Sequence, residues 1–311
     1  MSVSIYAWIG FIVFILAMLV LDLGVFQRKS HVISIKESLF LTGFWIALAL
    51  LFNLGIYHFS GPRVALEFLA GYLIEKSLSV DNIFVFLLIF SYFKVPPIYQ
   101  HKVLFWGILG AIVIRFLFII LGISLIHQFH FIIYIFGGFL VYTGFKMMQG
   151  KEEEVHPEDN PVLKFFRHFL PVTGTYEADK FFVRRAGKLF ATPLILVLLM
   201  VETTDIIFAF DSIPAIFGVT LDPFIVFTSN IFAILGLRAL YFALFRIMGR
   251  FHYLSYGLSI ILIFVGMKML IENIYHIPIG MALGFIGLVL ILSVFISMRF
   301  PVKKTECPPK S

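Results

Sequence analysis

Residues 191–217 read ATPLILVLLMVETTDIIFAFDSIPAIF. At about 1.5 Å per residue, an apolar run of this length covers the roughly 30 Å hydrocarbon core of a bilayer, and it predicts a membrane-spanning helix. The run nevertheless carries Glu202, Asp205 and Asp211. On the insertion scale a central Asp costs about 2.5–3.5 kcal/mol, so acids kept in such a helix must pair, protonate or hold a cation. Fold class and function therefore converge on this one segment.

Working outward, similar apolar runs recur along all 311 residues, of which 60% are hydrophobic and 14% charged. A soluble domain has about 25% charged residues, so an ordinary soluble protein is excluded. Hydropathy predicts an all-α polytopic membrane protein of about nine helices, near 4–26, 39–59, 64–93, 102–125, 130–148, 191–217, 223–246, 254–273 and 278–299. The first run lacks a basic leader and a small-residue cleavage site, and Arg28-Lys29 close it, so it reads as a retained helix. Alternate loops hold eighteen Lys and Arg on one side against Arg63 alone on the other. The positive-inside rule then places the N-terminus outside and the C-terminus in the cytoplasm, with the bacterial inner membrane as the expected location. The pI near 9.3 follows from those basic loops, and a nucleic-acid partner is not expected. The polar stretch 149–190 reads as a cytoplasmic loop, with Glu152-Glu153-Glu154 as its solvated acidic run. The single cysteine, Cys307, lies in the tail at 300–311, which excludes disulfides within the chain.

The two halves resemble each other. Asp81-Asn82-Ile83-Phe84-Val85-Phe86 matches Asp205-Ile206-Ile207-Phe208-Ala209-Phe210; Arg115 follows the first and Arg238 the second; Gly144-Phe145-Lys146-Met147-Met148 matches Gly266-Met267-Lys268-Met269-Leu270. The separations, 124, 123 and 122 positions, are nearly constant and predict a duplicated three-helix unit, 64–148 and 191–273. Three is odd, so the copies enter the membrane from opposite sides. Inverted repeats of this kind mark secondary transporters, with the substrate site near the midplane. Residues 1–60 and the helix at 278–299 read as peripheral additions.

Glu75, Ser79 and Asn82 share a helix face, and Glu202 and Asp205 lie one turn apart. Pro214 has no N–H and clashes with the carbonyl of Phe210, releasing an oxygen near Asp211, or simply kinking the helix end. The histidines fall in or near loops and helix ends, which leaves the midplane with oxygen donors. Those suit hard or borderline-hard ions such as Mn²⁺, Mg²⁺ and Ca²⁺. Arg115 and Arg238 are expected to pair with the carboxylates, as structural ion pairs or as counter-charges released when a cation binds. Lys146 and Lys268 read as snorkelling anchors, and Glu67 as a solvated group at the outer interface.

Glu75-x-x-Leu78-Ser79-x-Asp81-Asn82-Ile83-Phe84-Val85 and Glu202-x-Thr204-Asp205-x-x-Phe208-Ala209-x-Asp211-Ser212-Ile213-Pro214-Ala215 resemble the two acidic motifs of the bacterial TerC family, and the likeness extends through Asn160-Pro161, Phe169–Thr173, Asp222-Pro223-Phe224 and Ser229-Asn230. The resemblance implies an integral membrane protein of the LysE-like transporter grouping, linked to tellurium resistance, to manganese export and to metalation of exported proteins. It places the metal-binding role on Glu75, Asp81, Asn82, Glu202, Asp205 and Asp211, with Arg115 and Arg238 as supporting charges. The expected activity is export of a divalent cation, Mn²⁺ foremost, by alternating access, with possible proton coupling. Energy would come from an ion gradient or the membrane potential, because no nucleotide-binding P-loop is present, and no cofactor is expected. The alternative is a non-transporting membrane scaffold of a metal-stress or secretion complex. An intramembrane aspartyl hydrolase would need a Gly-x-Gly-Asp segment that the chain lacks, so an enzyme is not expected.

Overall fold

The computed structural model describes residues 4–24, 35–129, 131–149, 171–185, 188–244 and 253–299. The acidic run Glu152–Glu154, Arg246, Arg250 and the tail with Cys307 lie outside the described residues, as do the side chains of Asp81 and of Asp22, the one acid in the first apolar run.

Ten helices make up the described part: α1 Ile5–Gly24, α2 Ile35–Ser60, α3 Pro62–Tyr92, α4 Pro97–Gln128, α5 Ile132–Met148, α6 Pro193–Phe217, α7 Pro223–Leu235, α8 Leu237–Leu244, α9 Leu254–Ile271 and α10 Ile279–Arg299. Four of them start on proline, whose missing N–H costs nothing in a first turn. Two of those starts are also capped: Thr192 Oγ1 accepts from the Leu194 amide at 3.3 Å, and Asp222 Oδ1 accepts from the amides of Phe224 and Ile225 at 3.0 and 3.3 Å. Five described segments are long and apolar enough to cross a membrane by length and composition: Lys36–Ser60, Pro97–Gln128, Pro193–Phe217, Pro223–Ala243 and Ile279–Arg299. The protein is thus a helical integral membrane protein.

Two features depart from the hydropathy reading. The segment expected as one helix over 223–246 is broken at Gly236 into α7 and α8. The polar stretch before α6 ends in an antiparallel hairpin, β1 Phe182–Arg185 on β2 Lys188–Ala191, with Val172 bridged to Ala191. Neither strand, FVRR or KLFA, alternates apolar with polar residues, so no period of two marks them in the sequence.

Nearly all of Pro223–Ala243 is buried, so α7 and α8 form the centre of the bundle. By contrast α10 turns Met281, Leu288, Ile291, Phe295 and Met298 outward, and α4 exposes Val113, Leu117 and Leu121, as lipid-facing helices do. The most extensive contact joins α5 to α9; α3 on α7, α4 on α6 and α3 on α6 follow. Glycines bring α5 and α9 into backbone contact: a Cβ on Gly137 would lie 3.0 Å from the Gly266 carbonyl oxygen, and one on Gly144 would lie 2.8 Å from that of Ser259. Small residues at such crossings allow close approach within membranes. The lower-numbered residue of one helix meets the higher-numbered residue of the other, so α5 and α9 run antiparallel.

The turns collect at two ends. Arg63, Ile133, Gly218–Leu221, Glu272 and His276 surround a cavity of about 320 Å³ at one end. At the other, Lys102 donates to the Asp179 carbonyl at 2.6 Å and its carboxylate at 2.8 Å, and Tyr176 Oη donates to the Phe93 carbonyl at 2.7 Å. Those contacts fasten the segment before the hairpin onto the α3–α4 turn. There the buried Tyr241 Oη of α8 also meets Gln100 Oε1 of α4 at 2.9 Å.

Candidate functional site

Within the bundle, α3 contributes Glu75, Ser79 and Asn82, all buried, on the shared face that their spacing predicts. Glu75 forms a salt bridge with Arg115 of α4, and their side chains are 0% and 2% exposed. Asn230 of α7 donates its amide to Glu75 Oε2 at 3.1 Å, while its oxygen accepts from Arg115 Nη1 at 2.8 Å. Arg115 Nη1 also lies 3.2 Å from Ser212 Oγ of α6. Glu75, Arg115, Asn230 and Ser212 therefore tie four helices together through one charge-assisted network.

Asp205, also buried, neighbours both Arg115 and Glu75 electrostatically. It shares with Arg115 and Arg238 the wall of a cavity of about 10 Å³, completed by apolar residues such as Phe86, Ile108 and Leu237. That is close to the smallest space that holds one water molecule. Arg115 of α4 and Arg238 of α8 thus reach the same cavity.

The other sequence-nominated acids sit differently. Glu202, one turn before Asp205, presses its carboxylate against α4, where a Cβ on Gly110 would lie 2.0 Å from Oε1. Asp211 is partly buried nearer the other end of α6, in the turn before Pro214, and does not line the small cavity. Asp81 occupies the middle of α3, and its side chain is outside the described residues. Among the described residues no three His, Cys, Asp or Glu side chains are close enough to hold a metal ion together.

Asn230 and Ser212 are the partners that sequence reasoning did not single out for the site. An amide in an apolar helix is the one signal that pointed to Asn230, because a polar group in hydrocarbon requires a partner.

The wide end cavity holds a second polar group. Glu67 accepts from Thr220 Oγ1 at 2.8 Å and pairs with Arg63 at 3.2 Å, its own side chain only 14% exposed, so it is not the solvated group expected. Lys268 is buried and donates to the Gly218 carbonyl at 2.9 Å and to Glu272 at 3.1 Å. This corrects its reading as a snorkelling anchor: the α6 terminus supplies a carbonyl acceptor within reach, so the ammonium turns inward. His276 completes the group, 2.6 Å from Glu272.

The sequence profile of the integral membrane protein TerC family matches residues 60–305, from the end of α2 into the tail. The chain belongs to that family. It is 48% identical over 305 residues to an uncharacterized membrane protein of Myxococcus xanthus, STKORF319, covering 97% of this chain and 96% of that one. It is 50% identical over 299 residues to proteins of Escherichia coli K12 and Salmonella typhi that carry the provisional name membrane-bound redox modulator Alx, with 93% of each chain covered. No solved structure matches. The TerC profile begins after α1 and nearly all of α2, yet α2 packs on α3 and α8 and so belongs to the body of the bundle.

Proposed function

We propose that this TerC protein exports a divalent cation, Mn²⁺ foremost, across the bacterial inner membrane by alternating access of two inverted three-helix units. The observation that carries the reading is the buried Glu75–Arg115–Asn230 network with Asp205 beside it. Charge is costly in hydrocarbon, and a carboxylate there needs a compensating cation. Arg115 supplies that charge in the resting arrangement. A divalent ion drawing oxygens from Asp81, Asp205 and Glu75 would displace it, and departure of the ion would restore the pair. The donors at this depth are carboxylate, amide and hydroxyl oxygens, which suit Mn²⁺ and Mg²⁺ better than ions that favour sulfur or imidazole.

The helix contacts support the inverted repeat. Exchanging the two copies converts the α3–α7 contact into the α6–α4 contact and returns α5–α9 to itself. At the separation of 122 found for the lysines of these helices, Gly137 corresponds to Ser259 and Gly144 to Gly266, so the two backbone contacts of that crossing exchange as well. Antiparallel α5 and α9 suit copies that cross the membrane in opposite directions.

The name of the Alx relatives refers to redox. With one cysteine in the chain, Cys307, no intrachain thiol pair exists to carry it, and a redox effect would follow from the metal content of the cell. Flux into proteoliposomes tests the reading. Wild type should move Mn²⁺, while Asp81→Asn and Asp205→Asn should move none and still insert normally. No flux through the wild type would favour the scaffold reading, and equal flux through all three would remove these carboxylates from the ion path.

A further inference from the structure

Lys76 lies at the midpoint of α3, where neither membrane surface is within reach of a lysine side chain. Its sequence neighbour Glu75 is already engaged by Arg115 and Asn230. The Lys76 ammonium donates instead to the backbone carbonyl of Ala233 in α7, at 3.2 Å. In an unbroken helix that carbonyl would accept from the Leu237 amide, four residues on. The chain, however, breaks at Gly236, and α8 starts at Leu237 with its first bond from the Leu240 amide to the Gly236 carbonyl at 3.0 Å.

Gly236 itself has φ −80° and ψ −4°, a conformation open to any residue. Backbone freedom is therefore not what calls for glycine here. Space is: a Cβ at position 236 would lie 2.7 Å from Lys76 Nζ and 3.2 Å from Cβ of the buried Trp45 of α2. Arg238 is the second residue of α8, so the geometry of the break sets its approach to the cavity that it shares with Asp205 and Arg115.

We infer that Lys76 is a positioning residue whose ammonium takes over the orphaned Ala233 carbonyl, holds the α7–α8 break open, and thereby places Arg238 at the central cavity. The link to transport rests on the export reading; the structural role does not.

Three variants in lipid nanodiscs test it, read by amide hydrogen exchange over 236–241 and, separately, by Mn²⁺ flux in proteoliposomes. In Lys76→Met the Ala233 carbonyl regains the Leu237 amide, the break closes, and exchange there slows about tenfold, the scale of one backbone hydrogen bond. Lys76→Arg keeps a donor in place and should exchange like wild type. Gly236→Ala crowds the ammonium from the other side of the same contact and should reproduce Lys76→Met, which keeps the test valid if that variant does not insert. Flux should fall in Lys76→Met and Gly236→Ala and persist in Lys76→Arg. Unchanged exchange in both Lys76→Met and Gly236→Ala overturns the inference. Slowed exchange in a protein whose wild type moves no Mn²⁺ upholds the positioning role and removes the export reading instead.

Discussion

Among the described residues carboxylate, cation and hydroxyl come together at mid-bundle and again at the end where α3, α6 and α9 meet, and the two assemblies differ mainly in their access to water. At mid-bundle, Glu75 and Arg115 are 0% and 2% exposed beside a cavity of about 10 Å³. At the end, Arg63 and His276 are 78% and 66% exposed around about 320 Å³. Exposed ion pairs contribute about 0–1 kcal/mol because water and salt screen them. A buried pair is a different object: losing one partner strands the other charge, at about 3–5 kcal/mol. The deep group can therefore hold a cation only by exchanging one compensated arrangement for another, whereas the open group can collect or release hydrated ions without such an exchange.

That difference can be broken experimentally at several points. The largest effect is expected from Glu75→Gln or Arg115→Met, each of which leaves a buried charge uncompensated and should cost about 3–5 kcal/mol in thermal unfolding within nanodiscs. Combining the two should recover much of the loss, since neither member of the Glu75–Arg115 pair is then left charged without the other. At the open end, Glu67→Gln with Thr220→Val removes the ion pair to the exposed Arg63 and one hydrogen bond, and the change should stay at about 0.5–1.5 kcal/mol. A loss there as large as at Glu75 would erase the contrast. The smallest effect belongs to Asp179→Asn on the opposite face, within about 1 kcal/mol because the pair with Lys102 is solvent-screened. The Lys102 ammonium beside Asp179 holds that carboxyl below the usual carboxylate range. Its contribution is therefore complete at neutral pH and is lost as pH falls through the lowered value. The stability difference between wild type and Asp179→Asn should therefore shrink toward zero under such acid conditions.

The deep acids were legible in the sequence because carboxylates in an apolar helix are costly enough to need a reason, and the pairing of Arg115 with one of them followed from the same argument. The identity of the pair did not. Glu75 and Arg115 lie on different helices, and their connection through Asn230 depends on how α7 threads the centre, which no local pattern encodes. The break at Gly236 was hidden for a related reason. The apolar run continues across it, and its cause is a lysine on another helix. Glu67 and Lys268 were misread because proximity to a helix end predicts solvent, whereas the α6 terminus and the turn after it bring Gly218 and Thr220 within bonding distance. The helical membrane class, in contrast, follows from composition and run length alone, and the TerC match over 60–305 agrees with it.

The central claim is that the mid-bundle carboxylates, and not the open end, bind the transported ion. Calorimetric titration of Mn²⁺ into purified protein, run in two buffers of different ionisation enthalpy, addresses it directly because ligand oxygens that bind metal must give up their protons. Wild type and the Glu67→Gln, Glu272→Gln double variant should bind Mn²⁺ alike with net proton release, and Asp205→Asn should show no binding. Binding retained by Asp205→Asn but lost in the double variant would move the site to the open end and contradict the account.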